Sequence, residues 1–514
     1  DATWLDTAFN FTDTVASADS GLTGVYFNTI DLGNASAVRT LDATGAGLGS
    51  YWADSLRVNA TSAPGAGQQW TGDLWLGGVP GAPGVATGAV GALDVILPAG
   101  TNLADYDGDG SGANPNYMLN VSGSLSLENG AAVNLRAASG NPFKNLVVDE
   151  HLQIVSSSAV DDSNLTESVP VNGFSELGAS KYLFDMLVSQ DGKKMLAKFL
   201  GGDLEMPVAK TYLQGITAAL GTLGLGAELE NRVIRNTFDP NVNQGIFKDG
   251  NRLGIMFGLE YTNLRLNTGS HVDSDNMNVV VGPAFRSESP IGLFGLGLFF
   301  EAGNGDYSAH NSYPSLEILG EGDAKYFGGG IGLRNDFAHG LYADLSMRAG
   351  SAETDLSIKD RAGANYNMSA SYFGGHMALG KIFDFEDSGR LDLSTRLLWT
   401  RLGGDEVWTG AEERLSIDDA KSLRTQLGAR YSREFSDVFS GYVGAAWDYE
   451  HDGTVSGRLD DVRIDEPSLE GSTGIAEVGF SITPVDNFSI DLGLQGYTGQ
   501  REGAGGTAMI SFSF

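Results

Sequence analysis

From Leu253 to the last residue the chain alternates apolar with polar or small side chains at a period of two, in segments of about ten residues. Leu253, Ile255, Phe257, Leu259 and Tyr261 alternate with Gly254, Met256, Gly258 and Glu260. Phe294, Leu296, Leu298 and Phe300 alternate with Gly295 and Gly297, and Leu391, Leu393, Leu397 and Trp399 with Asp392, Ser394 and Arg396. The last segment sets Ile510, Phe512 and Phe514 against Ser511 and Ser513, and twelve such segments can be counted. Successive side chains of a strand point to opposite faces, so each set lines one side of a sheet.

A soluble sandwich would show the same alternation, and what the polar face carries separates the two. Arg286, Arg334, Arg348, Arg396, Arg424 and Arg430 share that face with Glu260, Asp344, Asp392, Asp448, Glu477 and Asp491. Charges of both signs suit a wet lumen with the apolar set facing lipid. Gly258, Gly295, Gly328, Gly330 and Gly332 stand on the same face and leave room for something inside. Aromatic residues at segment ends, Tyr261, Phe300, Trp399, Tyr431, Trp447, Tyr449 and Phe514, match an interfacial girdle. Short connections (Phe435–Val438, Pro484–Asn487) alternate with long polar ones (Tyr307–Lys325, Gly403–Lys421, Asp452–Leu469), as the two rims of an outer-membrane barrel require.

The first 200 or so residues read differently, with brief apolar pairs in turns rich in Gly, Ser and Asn: Leu56/Val58, Leu74/Leu76, Val95/Leu97 and Leu119/Val121. A recurrence of roughly 20 residues predicts one short strand per rung of a parallel β-helix or solenoid, with Leu125, Leu127, Val133 and Leu135 stacking inward. Tyr182–Val188 and Lys194–Leu200 predict a hairpin about Asp191-Gly192, placed where a solenoid needs a cap. Pro207 to Asn236 then predicts a helix over Ala209–Arg235, about 40 Å long at about 1.5 Å per residue. Gly215, Ala218, Ala219, Gly221, Gly224 and Gly226 slim it for a confined space; the alternative is an exposed amphipathic linker.

Composition narrows the function. The carboxylates number 65 against 32 Lys and Arg, a formal net charge of −33, which disfavours nucleic acid as a partner. There is no cysteine, which excludes disulfides, thiolate zinc sites and cysteine nucleophiles. The six histidines, His151, His271, His310, His339, His376 and His451, are scattered singly with no pair at metal-ligand spacing, and no metal is expected. Only His151 lies in the first 250 residues, no G-x-S-x-G is present, and Asp161/Asp162 read as solvated loop charges, so no catalytic residue is assigned and no enzyme or cofactor is expected. Asp105, Asp107 and Asp109, followed by Gly110, begin like a calcium loop, but Asn116 stands where the closing glutamate belongs; an acidic glycine-rich turn is the alternative. The longest uncharged stretch, Thr211–Ala227, is too short and too glycine-rich for a conventional spanning helix. The chain opens at Asp1 without a basic or apolar leader, so an export signal is expected to be removed or to lie outside this sequence.

A repetitive N-terminal region, a helical linker and twelve amphipathic strands ending in phenylalanine together resemble the monomeric autotransporters of the type Va secretion family. The stretches RLGIMFGLEYTNLRL, LRTQLGARYSREFSDVFSGYVGAAWDYEHDG and TAMISFSF carry that resemblance most specifically. It implies a twelve-stranded barrel in the Gram-negative outer membrane, a helix threaded through its pore and a passenger that crosses with the barrel's help. Phe512 and Phe514 satisfy the family's terminal assembly signal, while Met509 stands where glycine is common. Some members cut their linker at paired asparagines; Glu228-Leu229-Glu230-Asn231-Arg232 has no such pair, so that cleavage is not carried over.

The expected fold is thus all-β: a C-terminal 12-stranded antiparallel transmembrane β-barrel with a pore-threading α-helix, preceded by a β-helix or solenoid-like passenger. Expected boundaries are 1–145 for the passenger, 146–202 for its cap, 203–249 for the linker with the pore helix and 250–514 for the barrel. Expected partners are outer-membrane lipid and lipopolysaccharide, the barrel-assembly machinery through the C-terminal strand, and a host or cell-surface ligand of an adhesive or structural passenger, with the chain a monomer. The competing readings are a plain porin or channel with an N-terminal extension and a translocator of an enzymatic passenger lost upstream.

Overall fold

The computed structural model describes residues 24–31, 40–42, 50–60, 68–77, 89–98, 100–108, 116–137, 142–175, 178–239, 247 and 252–514, except 314–315, 360, 362 and 386–388. The chain divides into two compact units at Met206, residues 361–363 grouping with the first.

In the first unit the strands are β1 (Gly24–Asp31), β2 (Thr40–Asp42), β3 (Ser50–Asn59), β4 (Gln68–Thr71), β5 (Leu74–Leu76), β6 (Ala89–Leu97), β7 (Leu119–Val121), β8 (Ser124–Leu127), β9 (Ala132–Ala137), β10 (His151–Ser156), β11 (Ala159–Asp161), β12 (Val171–Ser175), β13 (Ser180–Val188) and β14 (Lys194–Leu204). Parallel pairing builds three ladders: β3-β6-β9-β12, β4-β7-β10 and β5-β8-β11. Each pass of the chain therefore lays one strand on each ladder. Leu56 pairs with Leu93, Leu93 with Val133 and Val133 with Val171, so a full turn takes roughly 40 residues. The recurrence of about 20 residues in the sequence does not mark one strand per turn: Leu56/Val58 and Leu74/Leu76 belong to different ladders of the same turn. Apolar side chains fill the inside, with Leu56, Leu93, Leu125, Leu127, Val133 and Leu135 fully buried. Asn134 donates to Asp94 across one ladder at 2.8 Å, and Asn120 to Gln69 across another.

The hairpin expected about Asp191-Gly192 is β13–β14, antiparallel and also paired through β14 to β10. Gly192 has φ 68°, a left-handed conformation that glycine adopts without strain. Phe143, Tyr182, Phe184 and Phe199 close the end of this core, the Phe143 and Tyr182 rings stacked at 4.8 Å. At the turn, the Ser189 hydroxyl and the Lys193 N–H donate to the Asp191 carboxylate and hold its pKa below the ordinary value.

In the second unit, α1 (Met206–Phe238) is followed by β15 (Leu253–Asn267), β16 (His271–Ser289), β17 (Gly292–Tyr313), β18 (Leu316–Asp336), β19 (Leu341–Ile358), β20 (Asn365–Asp384), β21 (Arg390–Leu402), β22 (Asp405–Trp408), β23 (Arg414–Ile417), β24 (Ala420–Glu434), β25 (Phe439–Glu450), β26 (Gly457–Leu459), β27 (Val462–Arg463), β28 (Gly471–Val485), β29 (Phe488–Gly499) and β30 (Arg501–Ser513). Twelve of these strands close a barrel of antiparallel neighbours, β15-β16-β17-β18-β19-β20-β21-β24-β25-β28-β29-β30. The seam pairs β15 with β30 from Gly254–Ser513 to Leu266–Arg501. Leu253, Ile255, Leu298, Phe300, Met347, Trp399, Trp447 and Leu494 are exposed on the outside, the set that the period-two reading assigns to lipid.

The connection expected over Tyr307–Lys325 is not a loop, because β17 runs on to Tyr313 and β18 starts at Leu316. Its outward positions are Asp306, Ser308, His310, Glu321, Asp323 and Lys325. Past the lipid zone the outward face turns polar while inward positions such as Tyr307, Ala309, Ile318 and Ala324 stay apolar or small, so the apolar outward set that marks a membrane strand is lost although the ladder continues. Likewise Gly403–Lys421 and Asp452–Leu469 contribute β22, β23, β26 and β27, a separate four-stranded sheet. The signal there is short and masked by charge.

For the hairpin at Asp191 a sign follows from the depressed pKa. A carboxylate stabilised in the folded state supports the turn above its unfolded pKa, about 3.9, and withdraws that support as the pH falls through the folded value. Limited proteolysis of β13–β14 should therefore accelerate as pH drops below about 4, and Asp191→Asn should flatten that step.

Candidate functional site: the occupied lumen

Helix α1 spans 33 residues, longer at both ends than the expected Ala209–Arg235. Pro207 fits the first turn, where its missing N–H has no partner to lose, and Pro240 follows the last. At about 1.5 Å per residue the helix extends about 50 Å, and nearly every residue from Val208 onward is buried. Its surroundings are the barrel's inner wall. Near its start Gln214 donates to Ser270 at 2.6 Å and accepts from Asn311 at 2.7 Å. Near its end Thr237 meets Ser511 at 3.1 Å, beside the C-terminus. The helix therefore runs from the rim of the long connections to the rim of the short turns. An exposed linker is ruled out by this burial.

Close approach depends on glycines of both partners. A Cβ on Gly258 would collide with Val233, one on Gly295 with Phe238 and one on Gly332 with Ile234. On the helix, a Cβ at Gly226 would strike the Tyr326 hydroxyl and one at Gly215 the hydroxyls of Tyr307 and Tyr366. Gly328 and Gly330 do a different job, making way for Tyr372 and Phe299 of the wall itself.

Apolar side chains are buried along the whole of α1, with Tyr212, Leu213, Ile216, Leu220 and Leu223 in its first half. Leu229 and Val233 pack with Met256, Val280, Phe299 and Met509; Leu225 with Leu264, Ile475 and Tyr497; Ile234 and Phe238 with Ala284. Met509, the departure from the usual terminal pattern, thus faces inward against the helix. Polar contacts are layered between. Glu228 accepts from Arg501 at 2.6 Å and from Arg232 at 3.3 Å, and also pairs with Arg424, which bonds the Gly224 carbonyl at 3.0 Å. Arg232 pairs with Glu260 of β15. Glu230 accepts from Ser346 at 3.0 Å and lies 3.2 Å from His376, whose other ring nitrogen is 2.7 Å from the Asn231 amide. Arg348 reaches Glu301 at 2.8 Å and the Leu223 carbonyl at 2.6 Å. Of the charged residues assigned to the inner face, Glu260, Arg348 and Arg424 touch the helix or its partners directly. Arg334 and Asp344 form a wall pair at 3.5 Å, as do Arg430 and Glu477 at 3.1 Å.

The helix leaves one side less filled. A void of about 50 Å³, lined by Arg235, Arg396, Arg430, Glu477 and Gln495 among others, separates it from β21, β24 and β28. At the long-connection rim the four-stranded sheet folds over the helix start, with Tyr212 donating to Glu413 at 3.3 Å and Leu213 beneath Gly457. Nothing in the sequence pattern pointed to that cover.

A family model described as the autotransporter β-domain matches residues 291–495. The barrel is an autotransporter β-domain. Such a domain resides in the Gram-negative outer membrane. Among solved structures, the chain is similar to the β-domain of the Bordetella autotransporter BrkA at 13% identity and TM-score 0.42, covering 51% of this chain and 100% of that one. It is also similar to the translocator domain of NalP from Neisseria meningitidis at 14% identity and TM-score 0.41, covering 58% and 99%. The transport unit of AIDA-I from Escherichia coli matches at 16% identity and TM-score 0.39, covering 56% and 97%. No curated protein matches the chain in sequence.

The remaining sequence candidates belong to the first unit. Asp105 sits in a short turn where Asn116 donates to its carbonyl at 2.8 Å, Asp107 is exposed, and Asp109 lies outside the described residues. Asp161 ends β11 and accepts from the Ser163 N–H at 3.1 Å.

Two substitutions should separate the forces that seat the helix. Gly258→Leu should expel it sterically and convert a nearly closed pore to an open one in planar bilayers. Glu228→Ala leaves Arg424 and Arg501 short of a partner and should destabilise the seated helix by about 3 kcal/mol, read as a lower temperature for loss of heat-modifiable mobility.

Proposed function

We propose that this barrel carries its own N-terminal segment across the outer membrane and displays it at the cell surface, where a β-helical passenger acts as an adhesive or structural stalk. The observation that carries the reading is the threaded helix. The chain before Met206 is joined covalently to a rod that enters at the rim of the long connections and leaves at the rim of the short turns. A segment that had never crossed would be tethered at the opposite rim.

The three parallel ladders support the passenger half of the reading. Each turn buries its apolar residues on the turn beside it, and repeat folds of this kind grow by nearest-neighbour stacking. Folding outside the cell therefore supplies direction, because every added turn removes apolar surface from water and opposes back-sliding. The C-terminal strand, ending in Phe512 and Phe514, offers the assembly machinery an edge to capture before β15 closes on it.

Protease shaving of intact cells tests this directly. The expected result is loss of the chain up to about residue 204 with retention of a heat-modifiable fragment of the rest. An N-terminal segment protected until the outer membrane is breached would overturn it. Deleting Pro207–Asn236 should raise single-channel conductance from nearly nothing to that of an open pore. A pore equally conductive with the segment present would favour the plain channel instead.

A further inference from the structure

Histidines that are distant in sequence meet on the outside of the barrel. The register of β16 and β17 sets His271 opposite His310, with their rings stacked at 4.6 Å between centroids and 16° between planes. Asp273 stands two residues along from His271, on the same outward face. Its Oδ2 lies 3.7 Å from His271 Nε2 and 3.9 Å from His310 Nε2. One ligand atom from each residue falls within 4.8 Å of the others. Ligands about 2.1 Å from a tetrahedral zinc stand about 3.4 Å from one another, so small side-chain rotations bring the three onto one ion.

Two imidazoles and one carboxylate suit a divalent transition metal of the zinc and copper kind, and leave further positions open to water or a second ligand. The place is compatible with that chemistry. Along β16 the outward face reads His271, Asp273, Asp275 and only then Met277, the first exposed apolar residue. His271 is thus about 20 Å along the strand from the lipid-facing band, at the long-connection rim. The three side chains are each partly exposed, between 27% and 40%.

We propose that His271, Asp273 and His310 form a surface site for one divalent transition-metal ion, bridging β16 and β17 at the outer rim. Arg265 is its modulator. It grips Asp273 through Nε at 2.7 Å from Oδ1 and Nη2 at 3.0 Å from Oδ2, which orients the carboxylate while its positive charge opposes the ion. The rigid ladder fixes the spacing of the two histidines before any metal arrives.

The test is titration of the purified full-length chain in detergent with Zn²⁺, together with Cu²⁺ electron paramagnetic resonance. One equivalent of Zn²⁺ should bind saturably, and Cu²⁺ should show hyperfine coupling to two imidazole nitrogens. His310→Ala should weaken binding at least tenfold and lose one nitrogen from the spectrum, while Arg265→Gln should tighten it several-fold. Heat-modifiable mobility of each variant certifies that the barrel is formed. Absence of a one-equivalent step in the wild type, or an unchanged isotherm in His310→Ala, overturns the assignment.

Discussion

Everything in the membrane unit depends on closing the sheet. A peptide group left unpaired in hydrocarbon costs several kcal/mol, so a flat sheet with two free edges cannot be held in lipid. The seam between β15 and β30 removes both edges at once, from Gly254–Ser513 to Leu266–Arg501. Closure also creates the interior. With every outward position between the rims given over to lipid, all the charge that the strands carry has nowhere to go but the lumen, and the lumen must then be filled with water or with polar chain.

The helix resolves that demand in two ways of unequal weight. Buried ion pairs such as those of Glu228 with Arg232, Arg424 and Arg501 gain attraction but lose hydration, and the two nearly cancel. They fix where the helix sits, because displacing one partner strands the others. The net holding force comes from apolar burial along the whole helix, with Tyr212, Leu213, Ile216, Leu220 and Leu223 in its first half and Leu225, Leu229, Val233, Ile234 and Phe238 in its second all withdrawn from water. At about 1.5–3 kcal/mol for each side chain, these supply on the order of 20 kcal/mol as an upper figure. Amide and hydroxyl contacts, among them Gln214 with Ser270 and Thr222 with Asn276, satisfy polar groups between them.

Much of this was legible in the sequence where a single physical rule governs each position. Lipid outside and water inside force period two, and so the strands, their faces and the inward charges could be read from residues such as Glu260, Arg348 and Arg424. Glycine in the polar set at Gly258, Gly295 and Gly332 marked the space that Val233, Phe238 and Ile234 take up. The rule lapses outside the bilayer. There β17 and β18 continue with polar residues on their outer face, and β22, β23, β26 and β27 are two to four residues long, so both read as loops. In the N-terminal unit, the apolar pairs were visible but the strand count per turn was not, since Leu56 and Leu74 look alike in sequence although they occupy different ladders. His271 and His310 are brought together by strand register, which spacing along the chain does not encode.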